Sequence, residues 1–226
     1  MSSLIIVSLN IGTPVTLGDP QAADPLDQPY TTAYFKQPVD MPLRVSESGL
    51  EGDGHADLRV HGGLEKAIYC YPVAHYPAWR VELNIPEMVY GGWGENLTLE
   101  GATESGVCIG DIYACGEARL QISQPRRPCY KMDRRWHRPD IQQHFERSGR
   151  VGWYMRVLHG GEIQTGQRLE LVERPPEAWS IARAHELVLD VTADLAAAQS
   201  LADYPLLGPE YQKSLRKRLT AAGVNL

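Results

Sequence analysis

Ser123-Gln124-Pro125-Arg126-Arg127-Pro128-Cys129-Tyr130-Lys131 places one thiol among three cations and two prolines. The charge is local. Residues 1–122 carry 16 acidic and 6 basic side chains, residues 123–138 carry 1 and 6, and residues 139–226 carry 11 and 10. A segment of net +5 is therefore embedded in a chain of net −6. Positive charge beside a thiol favours the thiolate, the form that binds metals and attacks electrophiles, so this stretch suits an anionic, thiophilic ligand. Pro125 and Pro128 fix φ on both sides of the arginine pair and push their predecessors out of helix, which predicts a pre-shaped loop. The residues alone leave a second reading open, in which Cys129 is a small buried hydrophobe and the arginines make surface ion pairs.

Outward from this stretch, short β-type runs follow one another between Gly and Pro punctuation. The opening Met1 to Asn10 reads as a first strand, and further strands are predicted near Thr31 to Phe35, Leu43 to Val45, Ala67 to Tyr71, Leu97 to Leu99, Ile112 to Ala114, Arg119 to Ser123, Gly152 to Leu158 and Arg168 to Val172. Gly18 to Pro29 reads as an exposed loop. Two helices are predicted within this region, His75 to Glu82 and Pro139 to Ser148, the second with Pro139 in its first turn. Many short strands at modest spacing indicate a mainly β (α+β) fold built on a barrel or sandwich. After Glu173-Arg174-Pro175-Pro176 the pattern turns helical: Ile181 to Leu189 behind Ser180, Ala193 to Leu201 behind Thr192, and Glu210 to Ala222, stopped by Gly223. The chain is accordingly divided into a β domain over residues 1–174 and a three-helix unit over 177–226.

The chain's 226 residues, 43% hydrophobic and 22% charged, have the composition of a globular protein with a sizeable core. A pI near 5.6 argues against binding a nucleic-acid polymer. The N-terminal apolar run lacks a basic flank and no stretch has the length of a membrane span, so a cytoplasmic location without membrane attachment is expected. Cys70, Cys108, Cys115 and Cys129 show neither C-x-x-C pairing nor zinc spacing, which fits a reducing compartment. The first three lie in apolar runs and read as core. His55, His75, His137, His144, His159 and His185 have no metal-site spacing.

Two further segments carry candidate chemistry. Gly49 to Ala67 combines glycines that permit close backbone approach, Gly62 and Gly63 among them, with Arg59, His61 and Lys66 as donors for an anion. It is neither a dinucleotide fingerprint nor a P-loop. Gly91-Gly92-Trp93-Gly94-Glu95-Asn96 is a glycine-rich turn in which Asn96 can meet a ring edge, or in which Glu95 and Asn96 satisfy the turn backbone.

Taken in order, L-E-G-D (Leu50 to Asp53), A-D-L-R-V-H-G-G (Ala56 to Gly63), G-E-N-L (Gly94 to Leu97), S-Q-P-R-R-P-C-Y-K (Ser123 to Lys131) and G-R-V-G-W-Y (Gly149 to Tyr154) resemble the motifs of MOSC-domain proteins, the molybdenum cofactor sulfurase C-terminal family. The likeness extends from about Ser3 to Arg174, and the tail resembles the three-helix unit of one bacterial branch. His-Gly-Gly is followed here by Leu64-Glu65 where relatives often have Pro-Asp, and Gly166 by Gln167 where Asp is common. The resemblance implies a β-barrel and a molybdenum cofactor, with Cys129 as thiolate ligand to the metal and as catalytic residue. Arg126, Arg127, Lys131, Arg59, His61, Gly62, Gly63, Lys66 and Asn96 are implied to bind the cofactor; pyridoxal phosphate is not expected. It further implies reduction of small N-hydroxylated compounds, hydroxylaminopurine-type base analogues among them, with electrons from a partner protein. A non-catalytic cofactor or sulfur carrier is the rival, and the oligomeric state stays open, a homodimer included.

Overall fold

Strand β1 (Ser3–Ile11) begins with strict alternation, Leu4 and Ile6 facing inward between half-exposed neighbours. After Ile6 its register against a neighbouring strand slips by one residue, and Ser8, Leu9 and Asn10 are all buried. Such a bulge sharpens the local bend, and here it lets one strand serve three partners. The structure, a computed structural model, describes residues 3–58 and 61–225.

In chain order, β2 (Val15–Leu17), β3 (Tyr30–Thr32), β4 (Gln37–Val39), β5 (Leu43–Ser46), β6 (Gly49–Leu50) and β7 (Ile68–Pro72) lead into helix α1 (Tyr76–Glu82). Strands β8 (Leu97–Glu100), β9 (Ile112–Cys115) and β10 (Ala118–Pro125) precede helices α2 (Lys131–Trp136) and α3 (Ile141–Ser148). Then come β11 (Trp153–His159), β12 (Gly161–Ile163) and β13 (Arg168–Glu173), and the helices α4 (Ile181–Leu189), α5 (Leu195–Ala202) and α6 (Pro209–Ala221).

Among the described residues, seven strands close a ring in the order β13-β9-β10-β11-β7-β8-β1, sealed by Ser3–Ile5 of β1 against Arg168–Glu170 of β13. Strand β4 pairs with the C-terminal end of β1, Leu9–Ile11, and extends the sheet there. The ring is antiparallel except where β7 runs parallel to β8, a pairing that requires the α1 crossover. A closed barrel leaves no open sheet edge along the ring.

The barrel interior is mostly aliphatic, and its cluster runs without a break into the tail: Leu4, Ile6, Leu120 and Ile122 belong with Ile181, Leu187, Leu201, Leu215 and Leu219. The three helices thus cover one flank of the barrel and share its core. Buried Asp111 holds the passage between them, accepting from Arg174 Nε at 2.7 Å and Nη2 at 2.6 Å. A second, aromatic cluster lies between the barrel and helices α1, α2 and α3. It contains Tyr34, Tyr69, Tyr71, Tyr76, Trp79, Trp93 and Phe145.

Four local expectations are corrected. The strand expected over Thr31–Phe35 stops at Thr32, because Thr32 Oγ1 accepts from Tyr34 N at 3.0 Å and turns the chain. Helix α3 starts after Asp140, which leaves Pro139 outside it. Helix α5 is capped by Asp194 rather than Thr192; Thr192 itself bonds back to Asp190. Ser123–Lys131 is not one loop: Ser123–Pro125 end β10, Arg126–Tyr130 form the loop, and Lys131 opens α2.

Candidate active site

Each part of the cationic stretch faces differently because β10 delivers it to the rim of the barrel. Pairing to β11 runs to Pro125↔Trp153, and Arg126 N–H still donates to Gly152 O at 3.3 Å. Strand direction therefore carries the Arg126 side chain inward. Its guanidinium centre stands 4.3 Å from the Tyr69 ring centroid, 5.4 Å from Tyr34 and 5.7 Å from Phe145. It donates to Trp93 O, while its Nε is buried with no partner. Among the described residues no carboxylate pairs with it. Arg127, one residue on, is exposed and donates to Ser214 Oγ of α6 at 2.7 Å.

Arg126 closes the floor of a cleft at the barrel rim. Its walls include Tyr34 and Lys36, the loop bearing His55, His61 and Lys66, and Tyr69, Asn96, Cys129, Lys131 and Tyr154. Cys129 is the half-buried thiol; Cys70, Cys108 and Cys115 are buried, as their apolar runs predict. The Cys129 Sγ lies 3.7 Å from His61 Nε2. Burial, then the charges of Arg126, Lys131, Lys66 and His55, hold the His61 imidazole down at about 4. It is neutral at pH 7 and free to face the thiol. Gly62 has φ of +78°, and a Cβ there would fall 2.8 Å from the His55 ring, so glycine lets the His55 ring pack closely at this turn.

The remaining expected residues divide clearly. Lys66 and Lys131 line the cleft. Lys66 also pairs with Glu210 of α6 at 2.5 Å, whereas Lys131 has no carboxylate partner among the described residues. Gly63 is exposed and opens a short 3₁₀ turn without lining the cleft. Arg59 lies outside the described residues. Asn96 touches the cleft, but its amide is engaged: Oδ1 accepts from Tyr69 N at 3.0 Å, and Nδ2 donates to Asp53 Oδ2 at 2.8 Å. Glu95 is buried and accepts from Gly91 N, Trp93 N, Tyr76 and Thr98, so it satisfies the turn. Burial pushes its carboxyl upward despite those donors.

Sequence reasoning missed Tyr34, Lys36, Asp53 as partner to Lys36, and Tyr69. Lys36 and Asp53 form a buried ion pair, with side chains 8% and 2% exposed. A lysine directly after Tyr34-Phe35 was the available signal, since a cation inside an apolar run needs a buried partner. The departures in the motifs are absorbed locally. Glu65 pairs with Arg156 and Leu64 is exposed, while Gln167 Oε1 accepts from Gln164 N at 2.9 Å within its own turn. Exposed His137 bonds Asp27 at 3.0 Å, beside Asp24.

Residues 57–170 match the MOSC domain. The chain belongs to the MOSC domain family. Its fold agrees with the crystal structure of YiiM from Geobacillus stearothermophilus at a TM-score of 0.78 and 35% identity, covering 96% of this chain and 99% of that one. It is 42% identical over 171 residues to Protein YiiM of Escherichia coli, 74% of this chain and 70% of that protein. A relative from Gibberella moniliformis, named Reductase, is 42% identical over 162 residues, 70% of this chain but only 28% of that longer protein. The MOSC match spans His61, Arg126, Cys129 and Lys131 and ends short of the three C-terminal helices. No helix among the described residues is long and apolar enough to cross a membrane.

Proposed function

We propose that this MOSC protein is an oxidoreductase that holds a molybdenum cofactor in the cleft and reduces N-hydroxylated compounds. The observation that carries the reading is Arg126: a buried guanidinium, stacked on aromatic rings, without a carboxylate partner among the described residues, in the same cleft as a half-buried thiol. A buried charge left unpaired is costly, so the cleft is completed by an anion. The residues fit the cofactor. Arg126, Lys131 and Lys66 answer its phosphate and dithiolene charge, and the unpartnered Arg126 Nε and Tyr34 hydroxyl offer hydrogen bonds. Cys129 supplies the soft thiolate that a thiophilic metal takes.

When bound, the cofactor would supply a two-electron redox centre for the reduction. The net reaction is R–NHOH plus two electrons and two protons giving R–NH2 and water, with electrons from a donor protein. The chain's own residues bind and orient. His61 Nε2, 3.7 Å from the sulfur, is held neutral and faces the Cys129 thiol as a hydrogen-bond partner that orients it. Tyr69, Tyr34 and Phe145 shield Arg126 from water and thereby strengthen its hold on an anion. The relative named Reductase and the likeness to YiiM support the redox reading, and base-analogue detoxification in the cytoplasm is the role we assign to it.

Cys129→Ser is expected to yield a folded protein that lacks molybdenum and does not turn over a hydroxylamino base. Metal and pterin analysis, melting temperature and turnover are measured on protein made in a cofactor-competent host. Wild-type turnover by the folded variant overturns the assignment. Stoichiometric molybdenum without any turnover in the wild type turns the reading to a carrier.

A further inference from the structure

The cations of this acidic chain are gathered on two segments. Residues 123–138 and helix α6, residues 209–221, together carry 10 basic and 2 acidic side chains, while the rest of the chain carries 12 and 26. A net +8 is thus set apart from a net −14. The fold joins the two segments beside Cys129: Arg127 Nη1 donates to Ser214 Oγ of α6 at 2.7 Å, and both segments line a groove that shares Cys129, Lys66 and Lys131 with the cleft. Helical spacing puts exposed Lys213 and Lys217 on the side of α6 that bears Glu210 and Ser214. Arg138 and Arg216 are paired with Asp140 and Asp203. Among the described residues Arg127, Lys131, Lys213 and Lys217 have no carboxylate partner, and the acids lining the groove are Asp57 and Glu210, the latter paired with Lys66. Apolar groups stand among these charges. The Tyr130 ring on the groove wall is 53% exposed, with the Arg134 guanidinium 5.7 Å from its centroid. Leu58, next to Asp57, and Leu64, two residues before Lys66, are also exposed. Aromatic and aliphatic anchors beside a charged rim have the make-up of a protein interface.

We propose that this face is the docking surface for an acidic electron-transfer protein, one carrying a reduced flavin or an iron–sulfur cluster. The proposal rests on the reductase reading, in which each turnover takes two electrons from outside the chain. The docked donor gives up those two electrons, solvent gives two protons, and R–NHOH leaves as R–NH2 and water. Electron transfer falls off steeply with distance, so the donor has to dock beside the cleft and not elsewhere on the molecule. It must also depart to be reduced again, which favours a small, charge-steered contact over a large apolar one. A nucleic-acid backbone meets Asp57 and Glu210 with like charge and gains nothing from exposed leucines. A second copy of this chain also offers an acidic surface, but a contact between unlike faces grows without closing unless it forms a ring.

The test titrates two acidic probes, a flavodoxin and a plant-type [2Fe–2S] ferredoxin, into the full-length protein by calorimetry at low and at physiological salt. Saturable binding of at least one probe is expected at low salt, weakened about tenfold at physiological salt. The double variant Lys213→Glu, Lys217→Glu is expected to weaken it about tenfold or more and to raise the KM for the donor protein. The same variant should leave molybdenum content, melting temperature and turnover driven by reduced methyl viologen unchanged, and Lys213→Arg with Lys217→Arg should bind as the wild type does. Tyr130→Ala is expected to weaken docking about tenfold. No saturable binding of either probe, or binding that the charge reversal leaves intact, overturns the proposal. So does tighter binding of a DNA duplex at physiological salt, or self-association that the reversal abolishes. Docking by a protein that takes up no molybdenum overturns the cofactor reading alone, and viologen-driven turnover without docking of either probe overturns the surface alone.

Discussion

The two hydrophobic clusters of this molecule are built from different residues for different work. The barrel cluster is dominated by Leu, Ile and Val from strands and tail helices. The cluster beside the cleft is dominated by tyrosines, tryptophans and Phe145, and Arg126 is stacked against it. Aliphatic side chains gain by area alone, whereas an aromatic face also attracts a cation, by about 0.5–2 kcal/mol. Rings can therefore keep a guanidinium buried while leaving its charge uncancelled. A carboxylate in their place would hold Arg126 more firmly and consume the charge an anionic ligand needs. The contrast with Lys36 is direct, because that cation does have its carboxylate, Asp53, and burial pulls its basicity down while Asp53 pulls it up.

The heaviest blow to this arrangement is expected from Asp53→Ala. It strands the buried Lys36 ammonium and removes the acceptor of Asn96 and of Gly12 N–H, so urea unfolding should show a loss of about 3–5 kcal/mol. A loss under ~1 kcal/mol would mean the pair is solvated. Leu120→Ala, in the aliphatic cluster, should cost about 2–5 kcal/mol through the cavity it opens and leave molybdenum content per folded protein unchanged. Arg126→Met sharpens the comparison most. In cofactor-free protein it should cost less than ~1 kcal/mol, since an uncompensated charge is replaced by an apolar chain of similar length, while cofactor retention weakens by about 1–3 kcal/mol. A large loss of apoprotein stability would show that the rings alone satisfy Arg126.

The smallest effect is one of pH. Burial depresses the His185 imidazole, opposed by Glu146, Glu104 and Glu186. The unfolded chain then takes up a proton before the folded one, so this contribution is full above the free imidazole range, about 6.5, and declines as pH falls below it. Melting temperature is expected to drop between pH 7 and pH 5, and to drop less in His185→Gln.

Strands were legible where an alternating or apolar run met a Gly or Pro, and Ile181–Leu189 was read to the residue because Ser180 caps it through Arg183 N. Helix α2 was not legible. Lys131–Trp136 is six residues long, polar, and has no side-chain cap, so neither period nor punctuation marks it. In the site, Cys129, His61 and Lys131 could be named from motif and charge. Tyr34 and Tyr69 could not, since their roles come from two separate segments meeting on the barrel rim, and Lys36 carried only the signal of a cation after an apolar pair. Neighbouring arginines also look alike in sequence. Only the strand direction of β10 turns Arg126 toward the rings and Arg127 toward α6.

Gly208, where the chain enters α6, donates its N–H to Ser123 O at 3.1 Å. A Cβ there would come within 2.2 Å of Gln124 Oε1. Barrel and tail are thus keyed together at one atom's width. Shortening the chain at the Pro175-Pro176 bend would strip the shared core of Ile181, Leu187, Leu201, Leu215 and Leu219 and leave that flank of the barrel open to water.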